Sequence, residues 1–160
     1  MTDFELRIRI TQSLAEVPAR AWNMCAGEVV EIAVQPKPEL KYTAGDNLCP
    51  TLSTRETAPN PFVSHEFLSS LEASRSVGGR TGWQPRHLLA ENATGELVGV
   101  VPCYVKMHSR GEYVFDHSWA EAFERAGGSY YPKLQVAVPF TPVTGPRLLA
   151  RAGLETDAVR

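Results

Sequence analysis

The sequence predicts a layered α/β or α+β domain. Three observations carry that prediction: apolar and charged residues alternate from Phe4 to Ile10, a stretch from Leu97 to Val105 is apolar on both faces, and a capped helical stripe runs from Ser64 to Leu71. At 160 residues and 17.6 kDa the chain has the length of one domain, enough to bury roughly two-thirds of its unfolded surface. Hydrophobic residues make up 43% and charged residues 21%, close to the soluble average, which argues against disorder and membrane residence.

In chain order, Phe4, Leu6, Ile8 and Ile10 alternate with Glu5, Arg7 and Arg9, predicting a strand with one buried apolar face. Pro18 suits the first turn of a short helix through Ala21, Trp22 and Cys25, and Gly27 ends it. Val29 to Val34 suggests a small strand, but Pro36, Pro38, Gly45 and Pro50 then break regular structure. Residues 28–59 therefore read as a long surface insertion, partly disordered or functional.

Order returns at Asn60. Ser64 is placed to cap a helix, Val63 to staple onto Leu68, and Glu66 to meet the positive end of the helix dipole. Phe67, Leu68 and Leu71 give this helix a face that should lie on a sheet, and Gly78-Gly79 closes the segment. His87–Glu91, the turn Asn92–Gly95 and Glu96–Met107 read as a β-hairpin, with a bulge or an edge at Pro102. Tyr113–Phe115 can continue the sheet. Ser118 and Glu121 have the spacing of a capping box for a helix to about Ala126, ended by Gly127-Gly128, and Leu134–Val138 reads as a core strand. Thr156 or Asp157 starts a helix the sequence does not supply, so residues 151–160 read as the start of a truncated helix.

The longest apolar run, Leu97 to Val105, is far short of the ~20 residues a membrane span needs. No basic-then-apolar leader opens the chain, which gives the cytoplasm as the expected compartment. Cys25, Cys49 and Cys103 are odd in number and widely spaced, which fits reduced thiols. The net charge of −2 provides no general attraction to nucleic acid.

The specific motifs of hydrolases, zinc proteases and nucleotide binders do not occur. Asp116, His117 and Ser118 hold the residue types of a catalytic triad, but strand neighbours point to opposite faces, so capping and local hydrogen bonding are the preferred reading. His65, His87, His108 and His117 lack ligand spacing with a carboxylate or thiol, so no metal is expected. Lys133, just after Tyr130-Tyr131-Pro132, has the chemistry to hold an anionic group beside two phenols. A solvated lysine next to ring-packed tyrosines is the plainer alternative. Arg147 follows a Thr144-Gly145-Pro146 turn that either aims it into a cleft or leaves it on the surface, and Phe140-Thr141-Pro142 reads as a cleft wall or a sheet-edge crossover.

The runs N-P-F-V-S-H-E-F-L at Asn60–Leu68, T-G-W at Thr81–Trp83, G-E-Y-V-F-D-H, and Y-Y-P-K-L-Q-V-A-V-P-F-T-P-V-T-G-P-R-L-L resemble the bacterial FemAB-like peptidoglycan biosynthesis/recognition proteins of the GNAT acyltransferase superfamily. The likeness is close from Asn60 to Leu149 and loose over the first strand and helix; Glu28–Thr57 departs from it. It implies an α/β, GNAT-like fold of mixed, mostly antiparallel sheet flanked by helices, with residues 1–160 as an incomplete N-terminal portion. It also implies transfer of an acyl or aminoacyl group to an amine, with acyl-CoA or aminoacyl-tRNA as donor and a small molecule or peptidoglycan precursor as substrate. Net charge gives tRNA no support. No segment matches the glycine-containing loop that holds the acyl-CoA pyrophosphate in GNAT proteins, so activity is expected to need a further half.

On that reading Tyr131, Lys133, Thr141 and Arg147 line an acceptor-side cleft, with no catalytic residue assigned. The alternatives are a non-catalytic recognition module and an inactive truncated product.

Overall fold

The computed structural model describes residues 5–27 and 59–152. The proposed strand at Val29–Val34, nearly all of the 28–59 insertion, Cys49 and the helix start at Thr156 or Asp157 lie outside the described residues.

Among the described residues the fold is α/β, with two antiparallel sheets and three α-helices. It agrees with the sequence expectation and with a partial GNAT-like arrangement. The strands are β1 (Arg7–Thr11), β2 (Trp83–Pro85), β3 (His87–Glu91), β4 (Leu97–Val101), β5 (Cys103–Lys106), β6 (Lys133–Val136) and β7 (Leu149–Ala150). The helices are α1 (Ala19–Ala26), α2 (His65–Ala73) and α3 (His117–Arg125). One sheet has the order β1-β3-β4-β7 and the other β2-β5-β6.

A single long hairpin serves both sheets. Its turn is held by Asn92, whose Oδ1 accepts from Thr94 N, Thr94 Oγ1 and Glu96 N, while Gly95 takes φ 79°. What the sequence suggests as one strand from Glu96 to Met107 is two, because Pro102 has no N–H to continue the ladder. At that break Arg86 N donates to the Cys103 carbonyl at 2.8 Å and Cys103 N donates to His87 Nδ1 at 3.3 Å. The strands bend there and pass from one sheet to the other.

The larger core lies between the first sheet and the helices. Leu89, Val100 and Leu149 meet Trp22, Cys25, Val63, Leu68 and Leu14 there. Trp22 buries its ring and satisfies its indole N–H on the Val63 carbonyl at 2.9 Å. Helix α2 begins as its sequence dictates: Ser64 Oγ accepts from Phe67 N at 3.2 Å, and Val63 and Leu68 are buried in one cluster. It ends at Ala73, before Gly78-Gly79, through Arg75 at φ 61°. The smaller core, under the second sheet, is Val77, Trp83 and Tyr104.

Four expectations are corrected. Ile8 and Ile10 are 62% and 59% exposed, so the apolar face of β1 looks outward. Its polar face is the one engaged, with Arg9 Nε donating to Glu91 at 3.0 Å and Thr11 buried. Tyr113–Phe115 forms no strand and is exposed. Helix α3 has Asp116 at its N-cap position with no side-chain cap bond, so the Ser118/Glu121 capping box does not form. Strand β6 is an edge, and its Leu134 and Val136 are exposed, so it is not a core strand.

Candidate functional site

Asp116 is the hub of a polar cluster where β5, β6 and the approach to α3 converge. Helix α3 leaves it and returns through a Schellman ending, with Gly127 N on the Glu124 carbonyl and Gly128 N on that of Phe123. This brings Tyr130 and Tyr131 back over the carboxylate. Oδ1 accepts from Ser109 Oγ at 2.6 Å and Tyr131 Oη at 2.9 Å; Oδ2 accepts from Tyr130 Oη at 3.0 Å and from Lys133 Nζ. Burial pushes this carboxyl upward, but the donated hydrogen bonds outweigh it and hold the pKa far below the usual range. Lys133 shows the reverse balance: burial pulls it down, while Asp116 and Glu112 raise it to about 12.

The sheet register explains a second carboxylate. Lys106 of β5 stands directly opposite Lys133 of β6, and like charges in that position repel. Glu112 lies between them, with Oε1 3.9 Å from Lys106 Nζ and 3.5 Å from Lys133 Nζ. Lys106 is fully buried, sits 3.8 Å from the centroid of the Trp83 ring and donates to the Arg110 carbonyl at 2.7 Å. Burial lowers its pKa to about 8. The Glu112 side chain is 6% exposed, and burial, with Asp116 adding to it, raises its pKa against the pull of the two lysines.

Glu112 faces an open cleft of about 420 Å³ between β6 and the segment Phe140–Arg147. Trp83 and Phe140 form its aromatic wall, with ring centroids 5.7 Å apart. Glu112 and Gln135 are among the lining residues, but Glu112 Oε1 and Gln135 Oε1 are themselves buried and make no hydrogen bond, the Glu112 oxygen having the two lysine ammonium groups as its charged neighbours. Phe140 adopts φ 60°, a conformation costly for a bulky residue, and holds its ring against Gly111. A hollow of about 490 Å³ beside α1 and α2 is less suited to a ligand, because Asn23 is spent on Glu66 and on the His65 N–H.

Of the residues expected at a site, Thr141 and Arg147 line the cleft, whereas Tyr131 and Lys133 belong to the adjoining Asp116 cluster. Arg147 is committed to its own turn: Nη1 donates to the Gly145 and Pro146 carbonyls at 3.0 Å, and Nη2 to that of Val143 at 2.5 Å. Lys133 is a partly buried ion-paired cation instead of a solvated one. His117 and Ser118 take no part in the cluster, and Asp116 serves local hydrogen bonding, as the sequence reading preferred.

Sequence reasoning missed Glu112, Lys106 and Gln135. Its available signal was a lysine closing an otherwise apolar strand, C-Y-V-K, followed by a glycine-flanked glutamate. Among the described residues no group of three or more His, Cys, Asp or Glu could hold a metal ion.

A family model described as FemAB-like, peptidoglycan biosynthesis/recognition, matches residues 13–160. No curated protein and no solved structure matches the chain.

Proposed function

This chain belongs to the FemAB-like family of peptidoglycan biosynthesis/recognition, and we propose that its cleft receives an amine of a peptidoglycan precursor for N-acyl transfer. The observation that carries this reading is one aromatic-walled cleft whose lining includes the carboxylate residue Glu112 and the amide residue Gln135. An amine supplies N–H donors, which a carboxylate and an amide oxygen are chemically able to accept. The adjacent Lys106 and Lys133 oppose the burial that raises the Glu112 pKa.

In this reading Thr141 and Arg147 shape the outer lip of the cleft, Arg147 by tying the 143–147 turn to itself. Tyr131 and Lys133 act from behind as positioning residues, through Asp116 and Glu112. The donor is an activated acyl group, an acyl-CoA thioester or an aminoacyl-tRNA ester. Transfer requires the amine to be held near that carbonyl and relieved of a proton.

The test incubates the product of the full-length reading frame with a purified precursor carrying a free amine and each donor class, and reads product by mass spectrometry. A mass gain of one acyl or aminoacyl group is expected. Calorimetric binding of the precursor with no transfer from either donor would sink the transferase reading and leave a recognition module.

A further inference from the structure

Strand β6 ends the second sheet and leaves one backbone edge without a neighbour among the described residues. In an antiparallel ladder each residue turns its N–H and C=O to one side, and successive residues alternate. Met107 N donates to the Gly82 carbonyl and Arg86 N to that of Cys103, so Cys103, Val105 and Met107 turn their backbone groups toward β2. Tyr104 and Lys106 therefore serve β6, opposite Gln135 and Lys133. Leu134 and Val136 are left with N–H and C=O facing outward, and no hydrogen bond among the described residues uses them.

The Val136 end of this edge opens on the aromatic-walled cleft. Gln135, Val136, Ala137 and Val138 all border it. Successive side chains of an extended chain point to opposite faces, so a space bordered by four residues in a row runs along the backbone edge. Across the cleft the chain returns through Phe140, Thr141, Pro142 and Val143. Pro139, Pro142 and Pro146 lack the N–H with which this returning segment would pair with β6, and the ladder stays open. Phe140, held at φ 60°, sets its ring 5.7 Å from that of Trp83, the kind of strained backbone that clusters at binding sites.

Resting on the peptidoglycan reading given above, we propose that the β6 edge binds the peptide part of the precursor in extended form, as one further strand that exchanges main-chain hydrogen bonds with Leu134 and Val136. The family of this chain concerns peptidoglycan, a polymer that carries short peptides. Strand β6 is four residues long, roughly 13 Å at ~3.3 Å per residue, and two of the four face outward. That length matches a short peptide better than a strand of a second protein, and Lys133 at its start discourages association between protein edges. The peptide residue between the two bonded ones lies opposite Gln135 and shares its face. An amine-bearing side chain at that residue is thereby directed into the cleft.

The test uses the product of the full-length reading frame labelled with 15N-leucine and 15N-valine. The Leu134 and Val136 amides are identified by their loss in Leu134→Ile and Val136→Ile, and hydrogen exchange is followed with and without the peptide Nα-acetyl-L-Ala-γ-D-Glu-L-Lys-D-Ala-D-Ala. Saturating peptide should slow exchange at both amides by about tenfold or more. N-methylation of the peptide nitrogen that follows lysine should weaken binding about tenfold, the loss of one main-chain bond, whereas N-methylation of the lysine's own backbone nitrogen, which faces away from β6, should leave the affinity unchanged.

No binding, binding that slows neither amide, or equal losses from the two methylations overturns the proposal. Equal slowing by the all-L peptide acetyl-Ala-Ala-Lys-Ala-Ala amide would make the edge a dock for protein segments, and it overturns the assignment to the precursor. Slowed exchange in a protein that transfers nothing from either donor upholds this binding mode and ends the transferase reading; transfer with neither amide slowed does the reverse.

Discussion

Within the loop that leads into α3, Asp116 and Glu112 are driven in opposite directions by what surrounds them. Asp116→Asn removes the charge facing Lys133 but keeps an oxygen for some of the donors, and it should cost about 1–3 kcal/mol in urea unfolding. The pH dependence follows from the lysines. Lys106 releases its proton at about 8 in the folded chain against an ordinary value of 10.5, so between these values the unfolded chain binds more protons and stability rises with pH. Lys133 has a folded value raised to about 12; its contribution is complete below the ordinary lysine range and is lost as pH rises through about 12. Urea midpoints should therefore climb between pH 7 and about 9 in the wild type relative to Lys106→Met; above about 9 the thiols of Cys25 and Cys103, which burial pushes up, act in the opposite direction in both proteins. At the acid end Glu72 behaves as a depressed carboxylate. Burial pushes it up, but hydrogen bonds from His87, Ser13 and Leu14 N–H hold it below the usual range, so its stabilisation is lost as pH falls through that lowered value. Tyr131 and Lys133 stood out in the sequence because aromatics and a cation are neighbours there. Glu112 did not, since only the register of β5 and β6 reveals that two lysines face each other across it.

At the scale of elements, the aromatic wall depends on one glycine. A Cβ on Gly111 would lie 2.5 Å from Phe140 Cε1 and 2.7 Å from Trp83 Nε1, and Gly111 takes φ 80°. Gly111→Ala should thus lower the melting temperature and shift the Trp83 fluorescence, since neither the backbone angle nor the ring contact tolerates the methyl group. An unchanged melt and spectrum would show that the wall is free to move. The hairpin, α1 and α2 were legible because their signals are local: Asn92 and Gly95 at the turn, Ser64 at the cap, Gly27 at the end of α1. Strands β2 and β7 were not, being two or three residues long and defined by their partners. The capping box at Ser118 failed because Asp116, one residue before the first helical residue, occupies the cap position and spends its side chain on the tyrosines and Lys133.

Across the whole molecule, burial is uneven. One face of the first sheet packs on the helices through Leu89, Val100 and Leu149, while Ile8 and Ile10 on its other face are exposed. Leu89→Ala should therefore cost about 2–5 kcal/mol, whereas Ile10→Thr should stay within about 0.5 kcal/mol; comparable losses in urea unfolding would mean that the β1 face is covered in solution. Helix α3 is likewise without a buried residue, so it adds none to the core. The sequence by itself determined that this is an α/β domain with the FemAB-like motifs, because helix caps, turns and residue alternation are written over a few neighbouring positions. Which face of β1 is buried, where Pro102 divides one apolar stretch between two sheets, and how Glu112 comes to lie between Lys106 and Lys133 were decided only by tertiary structure. Each of these depends on residues far apart in the chain, whose burial and mutual charge exist only once the sheets have paired.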